Sequence, residues 1–204
     1  MANQETAFGL RPVGVVGSGV NSTGTSEYEI SSSEANPIYQ FGLVEPVADG
    51  TIQRITSTAG DGNALGVLIG IEYVDSATKK PTWLNYWPGS GSVSVDTNYP
   101  VKALVVDDPS HTFVVAADAS VTNRAGALAL VHSNCSLGTS AQDGSSSNGR
   151  STAQLNVASA NTTATLPLRV IGVVNDPANN DYASAGVHFK VKLNTPFMTD
   201  TTGV

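Results

Sequence analysis

The chain has 204 residues, of which 13% are charged, and a formal net charge of −7. So few Lys and Arg leave no electrostatic footprint for nucleic acid, and an acidic balance repels anionic membranes. The length suits one β domain or at most two small ones, and the Gly/Ser/Thr/Asn/Ala-rich mix excludes helical bundles, which need long Leu/Glu/Lys/Arg-rich segments.

Cys135 is the only cysteine, so no intrachain disulfide forms and the fold must hold by packing or oligomerisation. The start, Met1 to Pro12, lacks the basic and apolar regions of a signal peptide. No run reaches the roughly 18 apolar residues that a membrane span requires. The sequons at Asn21, Asn134 and Asn161 are cheap in a Ser/Thr-rich chain and carry no glycosylation expectation.

Residues 1–11 read as an N-terminal arm with two apolar anchors, Phe8 and Leu10, followed by Arg11. These three are candidates for docking on a neighbouring protein. Arg11 to Val16 is a short strand with Pro12 at its start or on an edge. Gly17 to Thr25 is a loop, and the spacing of Gly14, Gly17 and Gly19 is not a dinucleotide fingerprint. Glu27 to Ile30, Ile38 to Val44 and Thr51 to Thr56 are further strands, the last following an Asp49-Gly50 turn. Leu65 to Val74 is the longest apolar run and reads as a central strand, its glycines marking bulges or close backbone approach.

Thr82 to Pro88 holds both tryptophans. On one strand, Trp83 and Trp87 would share a face, and with Tyr86 they form the only aromatic cluster. Core or oligomer interface is the first reading and a ligand platform the second. Tyr99 to Asp118 then reads as a hairpin: Val101–Val106, a turn at Asp107-Asp108-Pro109-Ser110, and His111–Ala116. Thr122 to Gly126 could form a turn of helix, with Ala127 to His132 a strand after it. Residues 138–150, GTSAQDGSSSNGR, read as a mobile Gly/Ser loop. Ser151 to Val157 returns as a strand. Leu166 to Val174 and Gly186 to Asn194 are strands flanking an Asn175-Asp176-Pro177 turn. The last alternates, with Val187, Phe189, Val191 and Leu193 inside and His188, Lys190 and Lys192 outside.

Roughly ten short strands and almost no helix predict an all-β fold, an antiparallel jelly-roll-like sandwich or barrel. The arm (1–11) would precede a single β domain (12–204).

Little chemistry is legible. His111, His132 and His188 show no metal-ligand spacing with one another or with Cys135. There is no Gly-x-Ser-x-Gly elbow. Asp107 and Asp108 could form a calcium or acid–base pair, but Asp176 repeats the Asp-Pro device, which favours turn punctuation. Cys135 beside His132 lacks a cationic setting and reads as an inert thiol. No catalytic residue, cofactor or metal is expected.

Landmarks recur in order: Ala7 to Pro12; Pro46 to Ile52; Leu65 to Val67 through Tyr73-Val74; Tyr86-Trp87-Pro88; Val105 to Phe113; and Leu168 to Val173. Together they resemble the capsid decoration, or cement, proteins of tailed phages of aquatic bacteria. The resemblance implies a β-rich structural virion protein, not an enzyme. It would be made in the host cytoplasm and bound to the outer capsid surface, most often as a homotrimer clamping neighbouring major capsid protein subunits. The alternative is a carbohydrate-binding or adhesin-like β module using Trp83, Tyr86 and Trp87.

Overall fold

The computed structural model describes residues 3, 7–17, 24–138 and 141–204. With 37% strand and 6% helix, the fold is mostly β, as expected, in several antiparallel sheets. In chain order the strands are β1 (Arg11–Val15), β2 (Ser26–Ile30), β3 (Leu43–Pro46), β4 (Ile52–Arg54), β5 (Gly66–Val74), β6 (Pro81–Leu84), β7 (Val101–Val106) and β8 (His111–Ala116). After a short helix, α1 (Arg124–Ala129), come β9 (Asn134–Cys135), β10 (Leu137–Gly138), β11 (Gly144–Ser145), β12 (Arg150–Ser151), β13 (Gln154–Leu155), β14 (Leu168–Val173) and β15 (His188–Leu193). Among the described residues, no helix is long and apolar enough to cross a membrane.

Five strands close on themselves. The order is β3-β4-β2-β7-β5, and β5 returns to β3 through Leu43 opposite Val67 and Val44 opposite Gly66. Only the β2–β4 contact is parallel, at Ile30 opposite Ile52. Closure removes the open edges that a flat sheet would present. β6 is added outside this ring, on the far half of β5. The barrel core contains Ile30, Val44, Leu68, Ile71, Val101 and Trp87, all buried.

The second sheet runs β1-β8-β15-β14-β9, antiparallel throughout. The predicted inward alternation holds, with Val187 and then Phe189, Val191 and Leu193 of β15 entering a second core; of the three residues expected outside, Lys190 is exposed while His188 and Lys192 are half-buried. That core also takes Phe113 and Val115 from β8, Leu168 and Val170 from β14, and Ala127 from α1.

β5 is the wall between the two cores. Val67 packs into the second core and Leu68 into the barrel. A bulge between Leu68 and Gly70 then shifts the phase, so that Ile71 and Tyr73 also enter the barrel. A strand buried on both faces must be apolar at successive positions. The run Leu65 to Val74 is therefore long and unpunctuated for a physical reason, and the expected bulge sits at one of its glycines. Gly66 marks the expected close approach: a Cβ there would lie 2.3 Å from the Val106 carbonyl oxygen.

Three local expectations are corrected. β7 and β8 do not pair with each other; β7 belongs to the barrel and β8 to the second sheet, so Asp107 to Ser110 turns a corner between sheets. Ala127 to His132 continues the helix and its turn, because Asn123 caps α1 by accepting from the Gly126 N–H at 2.9 Å. The stretch 138–150, expected as an unpaired Gly/Ser loop, contributes to the two-residue ladder β11–β12 and buries Ala141 and Gly149. Its Thr139 and Ser140 lie outside the described residues, as do Gly19 and the sequon at Asn21.

Candidate functional site

The N-terminal anchors fold into their own chain. Leu10 is fully buried in the second core, and its N–H donates to the Phe41 carbonyl at 2.8 Å. Gly9 has φ +73, and a Cβ there would meet the same carbonyl at 2.5 Å, so glycine is required. Phe8 is buried edge-on against His188, with the Arg11 guanidinium 4.5 Å from its ring centre. Asn3 donates to the carbonyls of Asp181 and Ala185. Phe8 and Leu10 are thus spent on intramolecular packing and do not form a free docking arm. Among the described residues of this region, the large apolar side chains left exposed are Val13 and Val16.

The expected aromatic cluster divides. β6 ends at Leu84 and the chain bends at Asn85 and Tyr86, so face-sharing across Trp83 and Trp87 is lost. Trp83 is 59% exposed, whereas Trp87 is 0% exposed and donates its indole N–H to the Glu34 carbonyl at 2.9 Å. Tyr86 stacks on Tyr39, with centroids 5.6 Å apart and planes within 9°. Around that pair, Asn85 Nδ2 donates to the Asn148 carbonyl at 2.7 Å, and a Cβ on Gly144 would collide with the Tyr39 ring. Tyr86 and Trp87 therefore hold the β11–β12 segment and the barrel, and only Trp83 remains open to a ligand.

The remaining candidates take structural places. The Asp108 carboxylate accepts from the Ser110 N–H at 2.7 Å and that of Asp176 from the Ala178 N–H at 2.8 Å, the expected turn closures. Asp107 accepts from Tyr28 Oη at 2.6 Å and Ser26 Oγ at 3.0 Å, which ties the corner to β2. Burial first and the Asp107 carboxylate second push the Tyr28 phenol up to about 12. Cys135 is fully buried, and burial pushes its thiol up to about 11, against thiolate chemistry. His132 is exposed in a left-handed conformation (φ +72). Among the described residues no group of three His, Cys, Asp or Glu could hold a metal.

Two pockets stand out. An apolar one of about 220 Å³ lies where the sheets meet, lined by Pro12, Val13, Ile69, Val106 and His111 beside Gly14 and Thr25. A larger one of about 500 Å³, mixed in character, is lined by Val74, Lys79, Pro81, Asp96, Asn98 and Tyr99. Here Lys79 Nζ donates to Asp96 Oδ2 at 2.9 Å, and Asp96 Oδ1 accepts from the Asn98 backbone and side chain at 3.1 and 2.8 Å. The Lys79 hydrogen bond, and then those from Asn98, hold the Asp96 carboxyl below the usual carboxylate range. None of Lys79, Asp96, Asn98 and Tyr99 was singled out from sequence. They carry no spacing motif and meet only because the loop before β7 folds back on the end of β5.

Compared with protein-family models, with curated proteins and with solved structures, the chain matches none.

Proposed function

We propose that the chain is a structural virion protein that binds the outer surface of a phage capsid and cements neighbouring major capsid protein subunits. It acts as a homotrimer, without catalysis, nucleic acid or membrane as partner. Within the all-β class, its body is a barrel joined to a jelly-roll-like sandwich layer. The observation that carries this reading is the apolar patch at the junction of the sheets: Val13 exposed on the edge strand β1 and Val16 exposed just after it, beside the pocket of Pro12, Ile69 and Val106. An apolar patch next to a concavity is the usual form of a protein contact. Its neighbours suit docking without further pairing, since Pro12 lacks an N–H and β1 is bulged between Pro12 and Gly14.

Two further observations support it. The landmarks behind the resemblance are scaffold positions: Gly9 and Leu10 lock the chain start, Leu65 to Val74 divides the cores, and Val105 to Phe113 turns the corner. The net charge of −7 suits an exterior position, because a lumen-facing protein would meet the negative charge of packaged DNA. A protein that binds only assembled capsid stabilises it by mass action.

Deleting residues 1–11 would remove Leu10 from the core, so charge placed on the exposed patch is the cleaner test. Val13→Glu with Val16→Glu places charge on exposed side chains and should leave thermal unfolding unchanged. Co-sedimentation with purified capsids should weaken by about tenfold or more. Unchanged occupancy would contradict the assignment of this surface.

A further inference from the structure

The larger pocket, at the β5–β6 tip, has walls tied together by the chain's own backbone hydrogen bonds. At the tip between β5 and β6, the Asp75 N–H donates to the Lys80 carbonyl at 3.0 Å and the Lys79 N–H to the Asp75 carbonyl at 2.8 Å. The facing loop is held to the same tip: the Ser76 N–H donates to the Ser94 carbonyl and the Asp96 N–H to the Val74 carbonyl, both at 2.8 Å. Lys79 itself sits at φ +58, a left-handed conformation that costs a non-glycine residue energy and is kept where the surroundings determine it. The result is an ammonium group held against a carboxylate that is only 6% exposed, inside an open cavity.

One aromatic ring lines the pocket, and a second stands further along β6. Tyr99 lines the pocket and is 55% exposed. Trp83 lies two residues beyond the pocket-lining Pro81 on the same exposed face of β6, about 7 Å along the strand. Trp83 is 59% exposed, so more than half of its surface is open to be covered.

We propose that this pocket binds a neutral saccharide, with one pyranose ring stacked on Trp83 and the next held among Lys79, Asp96, Asn98 and Tyr99. The choice of ligand follows from charge and shape. Lys79 and Asp96 neutralise each other, so neither an anion nor a cation gains a net partner. What the pair offers is directed hydrogen bonding: the ammonium has three donors, one of which goes to Asp96, and its side chain is 65% exposed. A polyhydroxylated ring with one apolar face satisfies both the hydrogen-bonding groups and the indole. The proposal does not depend on the capsid reading and uses a different surface.

The test is calorimetric titration of the full chain with a panel of neutral hexose and N-acetylhexosamine disaccharides, alongside the corresponding uronates. Iodide quenching of tryptophan fluorescence serves as a second readout, since Trp83 is exposed and Trp87 is not. At least one neutral disaccharide should bind and shield Trp83 from iodide. Trp83→Ala and Lys79→Gln should each weaken binding by about tenfold or more while capsid co-sedimentation stays unchanged. Binding of uronates alone, no binding by any neutral sugar, or binding indifferent to both substitutions would overturn it. Loss of capsid binding in the Val13 and Val16 variants leaves this outcome untouched, so the two readings fail separately.

Discussion

His111 is 3% exposed, and among the described residues its Nδ1 is buried without a hydrogen-bond partner. Burial lowers its pKa below the ordinary 6.5, and the Asp108 carboxylate opposes that only in part. The folded imidazole therefore stays neutral where the unfolded one takes a proton. As the pH falls through about 6.5 the unfolded state binds more protons, so stability falls with pH until the depressed folded pKa is passed. Thermal unfolding followed between pH 8 and 5 should show the midpoint declining below about 6.5, with a shallower decline in His111→Phe. An identical slope in wild type and variant would contradict this account of the site. Its burial was not legible from its position at a strand start beside a turn; it follows from the corner that carries β8 into the second sheet between β1 and β15.

Gly66 and the run that contains it show how an element's role exceeds its pattern. A Cβ at Gly66 would meet the Val106 carbonyl at 2.3 Å and Val105 Cγ1 at 2.8 Å, both from the paired strand β7. Gly66→Ala should therefore destabilise the fold by about 1–3 kcal/mol, read as a lower urea midpoint with an unchanged slope. A neutral substitution would mean that the β5–β7 spacing is looser than described. That Leu65 to Val74 is a buried strand with a bulge was legible, because its apolar run and glycines are local signals. That it separates two cores was not, because only partners distant in sequence decide which side of a strand each residue meets. The same limit explains the corner at Asp107 to Ser110. Two β-rich segments joined by a short turn look like a hairpin, yet β7 and β8 each find better partners elsewhere. Trp83 and Trp87 differ for a local reason: the even-spacing rule holds only while a strand continues, and β6 stops at Leu84. The ladders β9 to β13 pair over two residues each, too short to leave a period in the sequence.

At the scale of the molecule, the all-β class was legible from composition and strand punctuation, whereas the sites were not. The two pockets assemble from residues far apart in the chain, Pro12 with Ile69 and His111 in one, Lys79 with Asp96 in the other. The three residues expected to contact a neighbour divide likewise: Phe8 and Leu10 are internal, and Arg11 spans the ring of Phe8. Among the described residues, exposed valines stand at and just after β1, and a pocket of mixed character lies at the β5–β6 tip, on a chain of net charge −7; the capsid proposal rests on the first of these. Sedimentation of the wild-type chain, first alone and then with purified capsids that lack it, tests that conclusion most directly. The expected result is a stable oligomer with the mass of three chains that pellets saturably with the capsids. A monomer that stays in the supernatant at every capsid concentration would contradict it.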